Sequence, residues 1–341
     1  MQLSESSRFL DEALRGLDDV ESFVAAGYAA ALEGSEYRSC FGNWDRRASV
    51  RVKPARTLAP SDAGQLYFPP ELVPVTSHPL VRAAGEGTVE HVLVQRLHHY
   101  LHFTTELEQF AVIPVTTDIS AGRAGLRLPQ GMILDAYRIT TDEAWHAQFS
   151  YELAEQVALR TGIPAALPPR PLFLDRLDEV GRGLDSDLRG LERLLFSVVS
   201  ETLISSVLAD LPRDKRLPAA VRELIRDHAE DEGKHHAYFR VLLHHFWNAL
   251  DARTRRRIGP QIPELICCFL EPDYRAMSLL LLDCGLSPAD AQCVLADSYP
   301  RRTVRAEIAG SAQSTVRYFR EVGALDDTAT YEAFAAAGLV G

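Results

Sequence analysis

An all-α fold follows from three observations in this 341-residue chain. From about residue 84 to 323, apolar side chains recur at helical spacing, and no alternating strand-like run competes. The pattern Glu-x-x-His occurs twice, at Glu143–His146 and Glu232–His235. Each copy follows another glutamate, Glu108 or Glu201, by 35 and 31 residues, an interval that fits a helix, a turn and an antiparallel partner helix.

In chain order, residues 5–34 read as an amphipathic helix, with Phe9, Leu10, Leu14, Leu17, Val20, Phe23 and Val24 on one face. Six prolines between 54 and 79 break any long helix over 42–82. Leu66, Tyr67, Phe68 and Leu72 mark that stretch as an irregular wrap over the core, because a solvated linker does not need them. The core helices are expected at 88–112, ending before Pro114, then at 129–161, closing at Gly162 and Pro164. Two more are expected at 186–210 and 218–248, after a proline-rich crossing from Pro164 to Pro171. Further helices follow at 262–283, after Ser287-Pro288, and at 302–322; Ser287 suits an N-cap and Pro288 the first helical position. The whole chain is thus expected as one domain: 1–83 a helix and wrap, 84–250 a four-helix core, 251–341 C-terminal helices.

Composition narrows the function. A net charge of −11 disfavours nucleic acid and anionic membranes, since phosphate repels it. The N-terminus lacks a basic segment followed by an apolar run, and no stretch is long and apolar enough to span a bilayer, so a cytoplasmic protein is expected. Five cysteines show no C-x-x-C pairing and read as small buried hydrophobes in a reducing compartment. H-E-x-x-H, Gly-rich phosphate loops and G-x-S-x-G are absent.

The stretch His228-Ala-Glu-Asp-Glu232-Gly-Lys-His235 carries most of the chemistry. Residues 228, 232 and 235 fall within about 60° of arc on one helix face, so two imidazoles and a carboxylate aim at one region. A lone acid-x-x-His is weak evidence, since about one or two matches arise by chance in a chain of this composition. The arrangement is stronger. Two hairpins each deliver Glu, then Glu-x-x-His, and the proline-rich crossing supplies the one long connection of a ferritin-like four-helix bundle. Glu108 shares a face with Leu97, Leu101 and Thr104, with Glu106 a second choice. Glu201 lies in the apolar run LLFSVVSETLISSVL, where an unpaired carboxylate carries a heavy desolvation cost. Glu108, Glu143, His146, Glu201, His228, Glu232 and His235 therefore form a candidate ligand set for two metal ions. Carboxylate and imidazole without thiolate suit iron or manganese and disfavour structural zinc. Asp142 and Asp231, each directly before a ligand glutamate, are placed to accept the outer N–H of a ligand histidine. His98, His99, His102, His236, His244 and His245 are expected at the surface or behind the ligands.

These motifs resemble the AurF-like arylamine N-oxygenases, a non-haem di-iron family that includes the chloramphenicol-pathway N-oxygenase. The resemblance runs from about His78-Pro79-Leu80 to Val322-Gly323. It rests on Glu108, Asp142-Glu143-x-x-His146, Glu201-Thr202 and His228-x-x-Asp231-Glu232-x-x-His235, with His228 the specific element. It implies two iron ions and O2 as co-substrate. Glu143 and Glu232 would bridge, Glu108 and His146 would complete one iron, and Glu201, His228 and His235 the other. It also implies oxidation of an amine nitrogen to hydroxylamine, nitroso or nitro, an external electron donor and a homodimer. The spacing alone leaves open a di-iron enzyme acting on carbon, or a non-catalytic helical protein. For the substrate pocket, Tyr100 and Arg302, with its neighbours Arg301 and Arg305, are the candidates, the arginines as partners for a substrate carboxylate.

Overall fold

The computed structural model describes residues 37–341, apart from 63, 86 and 208–210. The helix expected at 5–34 lies outside the described residues. Among these residues there are helices and no strands.

Two short helices, α1 (Trp44–Arg47) and α2 (Ser49–Val52), open the wrap; three 3-10 turns set by Pro60, Pro70 and Pro74 follow, then α3 (Pro79–Ala83). The wrap covers the core as expected: Tyr67 and Phe68 are buried and Leu66 partly so, whereas Leu72 is 48% exposed. It is stitched down by polar contacts. Arg56 pairs with Glu223 (2.8 Å) and Asp227, and the Leu58 amide donates to Gln156 (3.0 Å).

The first core helix, α4 (Thr88–Leu107), does not stop before Pro114. A π turn over Glu108–Val112 leads into α5 (Ile113–Ser120), and Pro114 sits in the first turn of α5. There its missing N–H breaks no bond of the new helix, so the helical path continues where a plain α-helix would end. The other core helices are α6 (Gln130–Thr161), α8 (Leu191–Val207) and α9 (Ala219–Ala249). Between α6 and α8 lie the proline-rich crossing and an unpredicted helix, α7 (Leu172–Gly183). Cross-bundle contacts fix the directions. Met132, Asp142 and His146 of α6 meet Tyr238, His235 and Asp231 of α9, so these two helices run antiparallel. Thr105 and Thr116 meet Ala147 and Thr140, which makes α4–α5 antiparallel to α6. Ser197 of α8 donates to the Ala111 carbonyl (3.0 Å).

The C-terminal helices are α10 (Ala252–Ile258), α11 (Ile262–Leu270), α12 (Tyr274–Asp283), α13 (Pro288–Ser298), α14 (Arg301–Ser311), α15 (Gln313–Glu321) and α16 (Thr328–Ala336). The single helix expected at 262–283 is two. Pro272 forces Glu271 into extended backbone, and the Asp273 carboxylate caps α12 by accepting from the Ala276 amide. The helix expected at 302–322 likewise breaks at Ala312. Ser287 caps α13 as predicted, its hydroxyl accepting from the Asp290 amide (3.1 Å). The five cysteines are free thiols; Cys268 is buried and Cys293 is exposed rather than buried. No helix among the described residues is long and apolar enough to cross a membrane.

Candidate metal centre

The four core helices bring all seven candidate ligands to one fully buried place. Glu108 comes from the start of the π turn, Glu143 and His146 from α6, Glu201 from α8, and His228, Glu232 and His235 from α9. Donor atoms of six of them form two overlapping sets, each within 4.8 Å: Glu143, His146, His228 and Glu232, and Glu143, Glu201, Glu232 and His235; Glu108 adjoins the first, its Oε1 3.8 Å from His228 Nε2. Glu143 and Glu232 belong to both. Nδ1 of His146 lies 2.7 Å from Glu143 Oε2 and 3.4 Å from Glu232 Oε1. Nδ1 of His235 lies 2.8 Å from Glu143 Oε1 and 3.7 Å from Glu201 Oε2. Glu106 is only partly buried, whereas Glu108 is fully buried with the others.

One expectation is corrected. His228 does not sit with Glu201 and His235. Its ring centroid is 4.3 Å from that of His146, and its Nε2 is 3.8 Å from Glu108 Oε1 and 3.0 Å from Glu232 Oε1. The cause is helix direction. Because α9 runs antiparallel to α6, four residues back from Glu232 leads the same way as three residues forward from Glu143, toward His146.

The outer nitrogens of the paired histidines are held crosswise. Nε2 of His235 meets Asp142 (3.2 Å) and Nε2 of His146 meets Asp231 (3.4 Å), so each aspartate serves the histidine of the opposite helix. The aspartates have their own partners in the wrap, which sequence reasoning missed. The Trp44 indole N–H donates to both oxygens of Asp142 (2.8 and 2.9 Å). The Ser49 amide donates to Asp231 (3.0 Å), and so does the Lys234 ammonium (3.2 Å). Burial pushes Asp142 up, with His235 opposing; for Asp231 burial is outweighed by His146, Lys234 and Ser49, which hold it low. Phe41 stacks on His235, and Phe149 sits against His146 and His228 as apolar backing.

The cluster fits a pair of divalent cations. Both carboxylate oxygens of Glu108 and Glu201, Oε2 of Glu232 and Nδ1 of His228 are buried without a hydrogen-bond partner, while Glu143 Oε1 and Glu232 Oε1 have only unaligned close contacts to the cluster's histidines. Each such atom costs about 1–3 kcal/mol, and more when charged, unless something binds it. Four carboxylates balance two divalent charges, and the oxygen and imidazole donors suit iron or manganese. Without metal, protons take over part of that role. Burial and the neighbouring Glu143 and Glu232 charges push Glu108 and Glu201 well up. Burial works against charge on His146 and His235, but Glu143 beside them prevails and raises both. Burial and the nearby His146 lower His228.

A cavity of about 310 Å³ opens beside the cluster, at the small end of the ~300–1,000 Å³ usual for ligand sites. Thr104 and Ile204 form its inner wall, about one helical turn from Glu108 and Glu201. Phe103, Phe173 and Phe269 supply aromatic faces. Tyr100 is among the lining residues, and burial raises its phenol. Arg302, Arg301 and Arg305 do not line it: all three are exposed on α14. The cavity's cation is instead Arg96, whose guanidinium lies 5.0 Å from the centroid of the Phe68 ring, with burial lowering its pKa. Arg176 is matched by Glu264 and Glu271 (2.7 Å each), and Asp273 accepts from two backbone amides. Among the described residues no carboxylate pairs with Arg96. His98 and His99, expected at the surface or behind the ligands, are buried and meet the carbonyls of Ile163 and Ala166, pinning the proline-rich crossing over the cavity.

The chain is 25% identical over 253 residues to 4-aminobenzoate N-oxygenase of Streptomyces thioluteus, covering 72% of this chain and 75% of that one. Residues 40–323 match the family described as p-aminobenzoate N-oxygenase AurF, a span that holds all seven cluster residues, the cavity and the Trp44–Ser49 segment. The protein is an oxygenase, and it belongs to the AurF N-oxygenase family.

Proposed function

We propose that this chain is a single-domain di-iron N-oxygenase that oxidises the nitrogen of a small aromatic amine carrying an acidic group. The observation that supports it most is the buried cluster of four carboxylates and three imidazoles, about one helical turn from Thr104 and Ile204, which line an aromatic cavity where, among the described residues, Arg96 has no carboxylate partner. Glu143 and Glu232 would be shared by both metals, Glu108, His146 and His228 would complete one, and Glu201 and His235 the other. Bound iron supplies electrons to O2, and an external reductant restores them. The first turnover balances as R–NH2 + O2 + 2e− + 2H+ giving R–NHOH + H2O: an N–O bond forms, the O–O bond breaks, and one oxygen leaves as water.

The protein's own residues do the rest. Arg96 pairs with the acidic group, a charge-assisted contact made in a site of low polarity. That orients the ring along Phe103, Phe173 and Phe269 and sends the amine toward Thr104 and Ile204, beside Glu108 and Glu201. The apolar walls limit the entry of bulk water to the site. Natural-product biosynthesis, a cytoplasmic setting and a homodimer accompany this reading.

The test is to load the purified protein with ferrous iron, add a chemical reductant and ¹⁸O2, and supply 4-aminobenzoate beside aniline. Product carrying ¹⁸O on nitrogen, with the acid preferred, is expected. Arg96→Leu should raise KM for the acid by about 10–100-fold, in line with ~1.5–3 kcal/mol for a charged hydrogen bond, and leave aniline unaffected. Ring hydroxylation with an intact amine, or no oxygenated product from either amine, contradicts the reading.

A further inference from the structure

We propose that Trp44 is a positioning residue for one of the two metals, acting through Asp142 on His235. The inference rests on the two-metal reading above and adds to it a part of the molecule outside the bundle. The chain of contacts is continuous. Nδ1 of His235 points into the carboxylates, Nε2 meets Asp142 (3.2 Å), and the indole N–H of Trp44 spans both oxygens of Asp142 (2.8 and 2.9 Å). Asp142 is buried, and these two side chains are its hydrogen-bond partners among the described residues. A carboxylate gripped on both oxygens cannot swing, so the imidazole it holds keeps one ring orientation and one tautomer. Phe41, three residues before Trp44, stacks on the same imidazole with an interplanar angle of 18°. Steering by the aspartate and stacking by the phenylalanine fix the ring in two independent directions.

The placement is specific to one metal. Five residues after Trp44, the Ser49 amide holds Asp231, which serves His146. The segment therefore touches both aspartates, yet only His235 depends on a replaceable side chain of it, because the Asp231 contacts are a backbone amide and Lys234 of α9. A residue that merely filled space over the bundle would not select between the ends.

The experiment uses the full chain loaded anaerobically with ferrous iron, and follows iron release to a coloured chelator. Wild type should release two irons per chain. Trp44→Phe keeps the ring and drops the N–H. It is expected to release one iron about 10-fold faster or more, the lower end of what outer contacts to metal ligands are worth, and the other at the wild-type rate. Asp142→Asn should do the same, and Trp44→Phe combined with Asp142→Asn should be no worse than Asp142→Asn alone, the signature of one shared path. Arg51→Ala removes the guanidinium 5.5 Å from the centroid of the Trp44 ring without touching the N–H, and should change neither iron. Circular dichroism and melting of the metal-free variants check folding; should Trp44→Phe not fold, Trp44→Leu, which also lacks the N–H, takes its place beside Asp142→Asn and Arg51→Ala. Wild-type release from Trp44→Phe, equal acceleration of both irons, or additive effects in the double variant would overturn the inference. A wild-type protein that holds fewer than two irons would overturn the two-metal reading itself.

Discussion

At one end of the carboxylate cluster, His146 and His228 face Glu108, and Asp231 behind His146 is held by the Ser49 amide and the Lys234 ammonium. At the other end His235 faces Glu201 without a second imidazole, and Asp142 behind it is held by the Trp44 indole. Both ends derive from the same five-residue phrase, Asp-Glu-x-x-His, on antiparallel helices. Antiparallel repetition makes the ends alike and the crosswise aspartates follow from it. One added histidine, placed a turn before Glu232, makes them unlike. The end with two imidazoles would donate more electron density to a metal held there, so two bound metals should differ in affinity and in redox behaviour.

Removing what the ends share should have the largest effect. Glu232→Ala takes away a carboxylate common to both donor sets and should abolish stable binding of both metals, beyond the ~10–100-fold typical of outer-shell changes. Elemental analysis after gel filtration reads this directly, and retention of one full equivalent would show that Glu232 is not shared. Next in size, His228→Ala should weaken the His146 end by about 10–100-fold and make the two ends more alike. A chelator titration that shows loss at the His235 end instead would reverse the allocation. Asp231→Asn should follow with about a 10-fold loss at the His146 end, the mirror of Asp142→Asn at the other. Equal behaviour of these two variants toward the same metal would break the crosswise scheme.

The smallest effect is a pH trend that both ends share. In the metal-free fold, Glu108, Glu201, His146 and His235 bind protons more tightly than in the unfolded chain. The stability this gives is fully present below their ordinary values and is lost as pH rises through the raised ones. Metal must displace these protons, so its binding tightens over the same rise. The unfolding free-energy gap between metal-loaded and metal-free protein should therefore widen from pH 6 to pH 8, by about 1.4 kcal/mol for each tenfold gain in affinity. A gap that narrows across this range would contradict the proton inventory.

Much of the bundle was legible because helical periodicity, proline breaks and caps are local signals. The end of α6 at Gly162 and the Ser287 cap appear as expected. The ligand set was legible because its spacing is local to each helix and repeats. What escaped depends on three-dimensional direction or on distant contacts. The resemblance set His228 with Glu201 and His235; the direction of α9 against α6, which spacing along one helix does not give, puts it at the other end. Pro114 read as a stop, since a π turn has no simple sequence mark. Trp44 lies 98 residues from Asp142 in a segment without periodicity, so nothing near it announces the contact. Arg96 did leave a signal. Arg96, Tyr100, Thr104 and Glu108 recur every four residues, so each neighbours the next along one helix, although the row drifts by about 120° between its ends. The exposed arginines of α14 drew attention only by being adjacent.

The most direct test is anomalous diffraction from crystals of the iron-loaded protein. Two iron peaks are predicted, both touching Glu143 and Glu232, with His146 and His228 on one and His235 on the other. A single peak, or His228 bound to the iron that holds His235, would contradict it.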